Sequence, residues 1–209
     1  PNLTYHLIIY GCQMNKSDAE KVAVVLESLG FIATNQESQA DIIAIIACSV
    51  RQRAVDRIYS KIRKIKETRQ CETKQRFVST GGQKPFTVLT GCVLESDRKK
   101  LAEFFDLIIK IEEIGKLPEL MASWLHGFMV NNSTDKKTRQ QYSNEAMKQF
   151  NNIPPKHFSN VSAYAPIMTG CNNFCSYCVV PYTRGRETSR PADEILREVR
   201  SLVKIGYKE

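Results

Sequence analysis

Short apolar runs alternate with segments of helical periodicity over the first 125 residues. Residues 5–10 (YHLIIY), 42–46 (IIAII), 86–90 (FTVLT) and 106–111 are apolar with little polar interruption, and each predicts a strand. Between and after them the spacing predicts helices over 15–29, 50–68, 95–104 and 112–125. The first has Val22, Val25, Leu26 and Leu29 at helical spacing, with Gly30 as a natural stop. The second places Val50, Ala54, Ile58, Ile62 and Ile65 on one face. Strand–helix alternation predicts a parallel sheet covered by helices, and strands this continuously apolar belong to a sheet buried on both faces. The expected class is α/β, with a first domain over residues 1–130.

Residues 131–160 change character. They are rich in Asn, Ser, Gln and Lys, end in Pro154-Pro155, and read as a linker. A strand over 161–168 (VSAYAPIM) is expected next, then a Cys-rich loop, then a helix over about 191–205. Pro191 suits the first turn of that helix, Asp193 and Glu194 suit its positive end, and Gly206 marks its stop. Another strand is expected where the sequence reaches Glu209, so residues 161–209 read as the truncated start of a second domain. Pro1 is not an initiator Met, which fits a fragment or a processed form.

Composition and charge alter this picture only slightly. No apolar run reaches membrane-spanning length, and the first residues lack the layout of a secretory signal. The formal charge of +8 points to an acidic partner, nucleic acid first, or to a basic surface that aids solubility. Arg51, Arg53, Arg57, Lys61, Arg63, Lys64, Lys66 and Arg69 crowd one predicted helix, a face suited to phosphate contacts or simply to water.

The candidate chemistry lies in seven Cys: Cys12, Cys48, Cys71, Cys92, Cys171, Cys175 and Cys178. An odd count without a signal argues against a disulfide scaffold and for metal or redox work in a reducing cytoplasm. Cys171, Cys175 and Cys178 form a C-x3-C-x2-C loop behind a predicted strand. Three thiolates this close suit three corners of a 4Fe–4S cluster and leave one iron open to a small molecule. A partial zinc knuckle is the plainer alternative. Cys12, Cys48 and Cys92 each follow a predicted strand, so a parallel sheet would bring them to one carboxyl edge, where ligands bind. They are a shared metal site or three separate buried thiols. Gly11 and Gly91 precede two of them and would allow close backbone approach to a bulky group. Cys71 has no partner in either pattern.

The loop, with Tyr177 just before its last Cys, resembles the signature of radical S-adenosylmethionine (SAM) enzymes. In that superfamily the open iron binds SAM, whose reductive cleavage yields a 5′-deoxyadenosyl radical. The loop there follows the first strand of a partial (β/α) barrel. Tyr177 would lie near the cofactor adenine or simply pack against the loop. Residues 9–20 (IYGCQMNKSDAE), 48–54 (CSVRQRA), 90–92 (TGC) and 170–191 (GCNNFCSYCVVPYTRGRETSRP) resemble, in order and spacing, the motifs of the methylthiotransferase family. The resemblance implies a flavodoxin-like first domain. It also implies an auxiliary 4Fe–4S cluster on Cys12, Cys48 and Cys92 beside the radical SAM cluster on Cys171, Cys175 and Cys178. The chain departs from the family pattern at Ile46-Ala47, at Val93-Leu94-Glu95 and in a longer 69–85 stretch, none of which removes a ligand position.

Cys48-Ser-Val-Arg51 and residues 179–186 are most similar to the branch that methylthiolates carbon 2 of isopentenylated adenosine beside the tRNA anticodon. The implied partners are tRNA, SAM and an electron donor such as a flavodoxin or ferredoxin, in the cytoplasm and away from membranes. Related targets are threonylcarbamoyl-adenosine or a ribosomal protein. A non-catalytic metal- or RNA-binding remnant and a zinc-stabilised α/β domain are the alternatives from other classes. Arg184 and Arg186 would contact cofactor or tRNA phosphate, or form ion pairs with Glu187 or the following helix. This fragment alone is expected to be inactive.

Overall fold

The computed structural model describes residues 3–50, 52–70, 85–122, 124, 153 and 155–209, with the backbone alone for 64–70. Cys71 and residues 131–152 and 154 of the predicted linker lie outside them. The first domain runs β1 (Thr4–Ile9), α1 (Gln13–Ser28), β2 (Ile32–Ala33), β3 (Ile42–Cys48), α2 (Gln52–Gln70), β4 (Phe86–Cys92), α3 (Glu95–Leu101) and β5 (Leu107–Ile108). A 3-10 segment, Ile111–Lys116, leads into the single turn α4 (Leu117–Leu120). The five strands pair in parallel in the order β2-β1-β3-β4-β5. This is the doubly wound order of flavodoxin-like folds, whose ligand site lies beyond the carboxyl ends of the strands.

Two apolar layers flank the sheet. Alternation along β3 sends Ile42, Ala44 and Ile46 to one side, with Val22, Val25 and Leu26 of α1. It sends Ile43, Ile45 and Ala47 to the other, with Ile58 and Ile62 of α2. β3 and β4 are therefore buried throughout, as their continuous apolar character predicts.

The edges depart from the sequence expectation. β5 covers only two residues of the predicted 106–111 strand. Asp106 begins that stretch, and its carboxylate accepts hydrogen bonds from Thr87 N (2.8 Å) and Oγ1 (2.6 Å), which anchors the chain before a longer ladder forms. The predicted helix over 112–125 splits at Pro118, which lacks the N–H that a continuous α-helix needs and here sits in the first turn of α4. β2 was not predicted at all, being two exposed residues hydrogen-bonded to the edge of β1.

The second segment contains β6 (Met168–Thr169), α5 (Val180–Arg184), β7 (Thr188–Ser189) and α6 (Ala192–Lys204). Of the predicted 161–168 strand only Met168 lies in β6, which pairs antiparallel with β7. Pro166 interrupts the stretch, because it cannot donate to a ladder. Its opening residues still make parallel-type bonds to the chain returning from α6: Glu209 N donates to Val161 O (3.1 Å) and Ala163 N donates to Glu209 O (2.8 Å). An extended segment, a crossover helix and a parallel return of this kind make one β/α unit. Among the described residues no helix is long and apolar enough to cross a membrane.

Candidate functional site

The parallel register brings the first three thiols to one edge. Cys48 and Cys92 end adjacent strands and stand directly opposite each other, while Cys12 caps the N-terminus of α1 just after β1. All three are free; Cys48 and Cys92 are buried and Cys12 is half-buried. Ser49 N donates to Cys92 O at 2.8 Å and closes the turn. Asn15 braces the remaining side: Oδ1 accepts from the Cys12 N–H at 3.3 Å, and Nδ2 donates to Ala47 O at 2.9 Å.

Cys171, Cys175 and Cys178 lie on the loop between β6 and α5. Cys175 is exposed and the other two are half-buried. Backbone bonds shape this loop. Cys178 N donates to Cys175 O (3.0 Å), Cys175 N to Asn173 O (2.9 Å), and Cys171 N to Gly185 O (3.2 Å). Asn173 N donates to Cys171 Sγ at 3.4 Å. Gly170 has φ +74°, and a Cβ there would lie 2.0 Å from Arg186 O, so the base of the loop is closed against the Gly185–Arg186 backbone. Tyr177 is 87% exposed. It does not pack against the loop core, which leaves its ring accessible to a ligand. Phe174 meets Tyr182 edge-on with ring centroids 5.8 Å apart, and the Arg186 guanidinium lies 5.3 Å over the Phe174 ring. Arg186 thus forms part of an aromatic rim beside the thiols.

The ion pair that Arg184 makes is not the one expected with Glu187 or the following helix. The side chain is buried, and it meets neither Glu187 nor open solvent. Its Nε donates to Cys92 Sγ at 2.8 Å, and its fork closes on the Asp18 carboxylate, Nη1 to Oδ1 at 3.3 Å. α5 therefore runs from the last thiol of one triad to a side chain that touches a thiol of the other. Burial pushes the Cys92 thiol up to about 11, against the pull of the Arg184 cation. Burial likewise raises the Asp18 carboxyl, again against Arg184. Desolvation works to lower Arg184, but the facing Asp18 and Cys92 outweigh it and hold the guanidinium charged.

Asn15 and Asp18 are site residues that the sequence reading missed. The available signal was the first half of α1, where Asn15, Ser17, Asp18, Glu20 and Lys21 follow one another and are all buried. A run of polar residues reads as a solvated face, yet here the second segment covers it. Phe158 N donates to Glu20 Oε1 at 3.2 Å, Lys156 pairs with Glu27, and Arg184 reaches Asp18.

The donor set suits iron–sulfur ligation, since thiolates are what such clusters take and six of the described thiols are free, three at the sheet edge and three on the loop after β6. Among the described residues no three Cys, His, Asp or Glu side chains already stand as a closed metal site. The two groups differ in reactivity. In metal-free protein at pH 8, iodoacetamide is expected to label Cys175 quickly. Cys92, only 5% exposed and with a raised thiol pKa, is expected to be labelled only after denaturant is added. Peptide mapping by mass spectrometry reads this directly. Equal labelling of the two would contradict the buried Arg184–Cys92 contact.

A doubly wound α/β sheet with thiols at its carboxyl edge, joined to a C-x3-C-x2-C loop that opens a β/α unit, places the protein among radical SAM proteins. Residues 4–110 match the family described as Uncharacterized protein family UPF0004, and residues 165–209 match the Radical SAM superfamily. The chain belongs to the UPF0004 family and is like the radical SAM methylthiotransferases that share this pair of domains. Among curated relatives, it is 35% identical over 211 residues to the tRNA-2-methylthio-N(6)-dimethylallyladenosine synthase of Carboxydothermus hydrogenoformans. That match covers 99% of this chain and 44% of the relative. The proteins of the same name from Caldicellulosiruptor saccharolyticus and Dictyoglomus thermophilum are each 36% identical. Those matches cover 100% and 98% of this chain, and 41% and 43% of the relatives. The chain thus spans less than half the length of these relatives. Radical SAM membership implies a 4Fe–4S cluster and SAM.

Proposed function

We propose that this chain is the first part of a tRNA methylthiotransferase. The complete protein would place a methylthio group on carbon 2 of an isopentenylated adenosine beside the anticodon. The observation that carries the reading is the pair of thiol triads, one on a doubly wound sheet edge and one on a radical SAM loop, in a chain similar to tRNA-2-methylthio-N(6)-dimethylallyladenosine synthases over 98–100% of its length. Residues 1–130 form the methylthiotransferase domain, 131–160 the linker, and 161–209 the start of the radical SAM domain. Cys171, Cys175 and Cys178 hold one 4Fe–4S cluster, and Cys12, Cys48 and Cys92 hold a second, auxiliary one. When bound, the clusters and SAM supply the one-electron chemistry and the sulfur that acid–base side chains cannot.

The residues have separate tasks. The backbone bonds at Cys171, Cys175 and Cys178 hold three thiolates on an accessible loop with one approach open to a small molecule. Tyr177 offers an exposed ring to the SAM adenine. Asn15 and Arg184 orient the thiols of the buried triad and exclude water from it. The target base lies in a single-stranded loop, where bases are splayed out and accessible. The protein works in the cytoplasm with a flavodoxin or ferredoxin as electron donor.

The basic face of α2 suits the tRNA backbone. Arg53, Arg57 and Arg63 are exposed, and Tyr10, Arg57, Ser60 and Lys61 line an open groove of about 360 Å³. Charge reversal at Arg53, Arg57 and Arg63 in the complete protein is expected to weaken tRNA binding. The salt slope should fall by about 0.7–0.9 for each phosphate that is no longer neutralised. Unchanged affinity and slope would reduce this face to a solvated one.

The test of the function is anaerobic reconstitution of the complete protein, with assay of isopentenylated and threonylcarbamoylated tRNA. About eight irons per chain and a methylthio product on the isopentenylated tRNA alone are expected. Product only on the threonylcarbamoyl base moves the protein to another branch. Zinc in place of iron overturns the reading.

A further inference from the structure

Arg184 belongs to neither thiol triad, and its side chain leaves its own segment. It crosses into the first domain, where Nε meets Cys92 Sγ at 2.8 Å and the fork meets both oxygens of Asp18. The Arg184 and Asp18 side chains are only 5% and 2% exposed. A buried ion pair is weak evidence for stability, because desolvation cancels much of its Coulombic gain, and packed apolar residues would join two segments as well. An ion pair does something that an apolar contact does not: it aims an N–H at a sulfur and holds it there. Asp18 takes one N–H from each Nη group, and that grip fixes the plane of the guanidinium so that its Nε–H points at Cys92.

Hydrogen bonds to ligand sulfur and nearby charge are among the determinants of iron–sulfur reduction potential. We propose that Arg184, oriented by Asp18, sets the reduction potential of the cluster on Cys12, Cys48 and Cys92 through its N–H bond to Cys92 sulfur. This rests on the assignment of that triad to a cluster made under Proposed function. One electron entering the cluster makes it more negative by one charge. The donor on Cys92 favours that reduced form, while the Asp18 carboxylate behind the guanidinium opposes it. The two side chains therefore act with opposite sign. Arg184 is a positioning and tuning residue, and it need not touch substrate.

The opposite signs separate this role from simple cross-linking of two segments. The measurement uses the complete protein carrying C171A, C175A and C178A, reconstituted anaerobically to leave one cluster of about four irons. Reduction at a controlled electrode, which supplies the electron, is followed by electron paramagnetic resonance. Arg184→Met is expected to lower the reduced-to-oxidised ratio at least tenfold at the parent's midpoint, about 59 mV for a one-electron couple. Asp18→Asn, which leaves the guanidinium uncompensated, is expected to raise the ratio. Arg184→Lys, which keeps the charge without the fork, should fall between Met and the parent. Shifts of the same sign in R184M and D18N, or no shift in either, would overturn the proposal and leave a structural latch. Should R184M fail to retain iron, D18N decides alone, and a lowered or unchanged ratio rejects the proposal. Absence of iron from the parent itself would sink the cluster assignment, a failure distinct from the coupling of Arg184.

Discussion

Replacing Cys175 with Ala is expected to halve the iron of the reconstituted complete protein, from about eight per chain to about four, and to bring SAM cleavage down to background. The melting temperature of the metal-free protein should barely move. Cys175 is exposed, and its neighbourhood is held by backbone bonds rather than by its side chain. Surface substitutions away from caps and packed contacts typically change stability by no more than about 0.5 kcal/mol. The contrasting variant is Cys48→Ala, at the buried triad. It is also expected to lose about four irons, but to keep SAM cleavage and lose only the methylthio product. Iron analysis, detection of 5′-deoxyadenosine and nucleoside mass spectrometry read the three quantities. If C175A kept its full iron and its cleavage activity, the loop thiols would not be the SAM-cleaving site. If C48A still made product, the auxiliary role of the first triad would fall.

Gly91→Ala is expected to be the most damaging small substitution in the first domain. Gly91 sits between Thr90 and Cys92 near the end of β4, with φ +103°. A Cβ there would lie 2.4 Å from Ala47 O and 2.9 Å from Ala47 N, both backbone atoms of the neighbouring strand. No rotamer relieves such a clash, and the backbone conformation is itself unfavourable for a residue with a side chain. The expected loss is more than about 3 kcal/mol, at the severe end for a single substitution. It would appear as a large drop in the urea midpoint of the metal-free protein or as insoluble expression. A midpoint within experimental error of the parent would contradict the strand register around Ala47 and Gly91. The role of this glycine therefore differs from the one its sequence position suggests. It accommodates the adjacent backbone, whatever stands beyond the sheet edge.

Much of the first domain was legible from the chain alone, and the reason is local. β3 and β4 are unbroken apolar runs, and α1 and α2 carry apolar residues at helical spacing, so burial follows from composition within each segment. Strand–helix alternation then implies parallel pairing, and parallel pairing sends the residues after each strand to a common edge. The convergence of Cys12, Cys48 and Cys92 on that edge was readable for this reason. So was the C-x3-C-x2-C loop, whose ligands lie within eight residues of one another.

What failed to read from sequence depended on partners distant along the chain. The short edge strands are decided by single neighbours such as Asp106 and Thr87, and the split of the fourth helix by Pro118. Of the strand expected over 161–168 only Met168 falls in β6, because pairing needs a partner and Pro166 removes a donor. The polar residues of α1 carry no signal in the helical pattern, and only the fold covers them, with Lys156–Phe158 and α5. For Arg184 the sequence left open a cofactor or tRNA phosphate contact or a local ion pair, while tertiary structure buries it against Asp18, 166 positions away in the chain. The chemical inventory and the sheet edge that collects it were thus set by the chain's own pattern, because both follow from short-range periodicity and the geometry of parallel strands. Which charges become buried and paired was settled by the assembled fold, because that depends on which surfaces two separate segments hide from water when they meet.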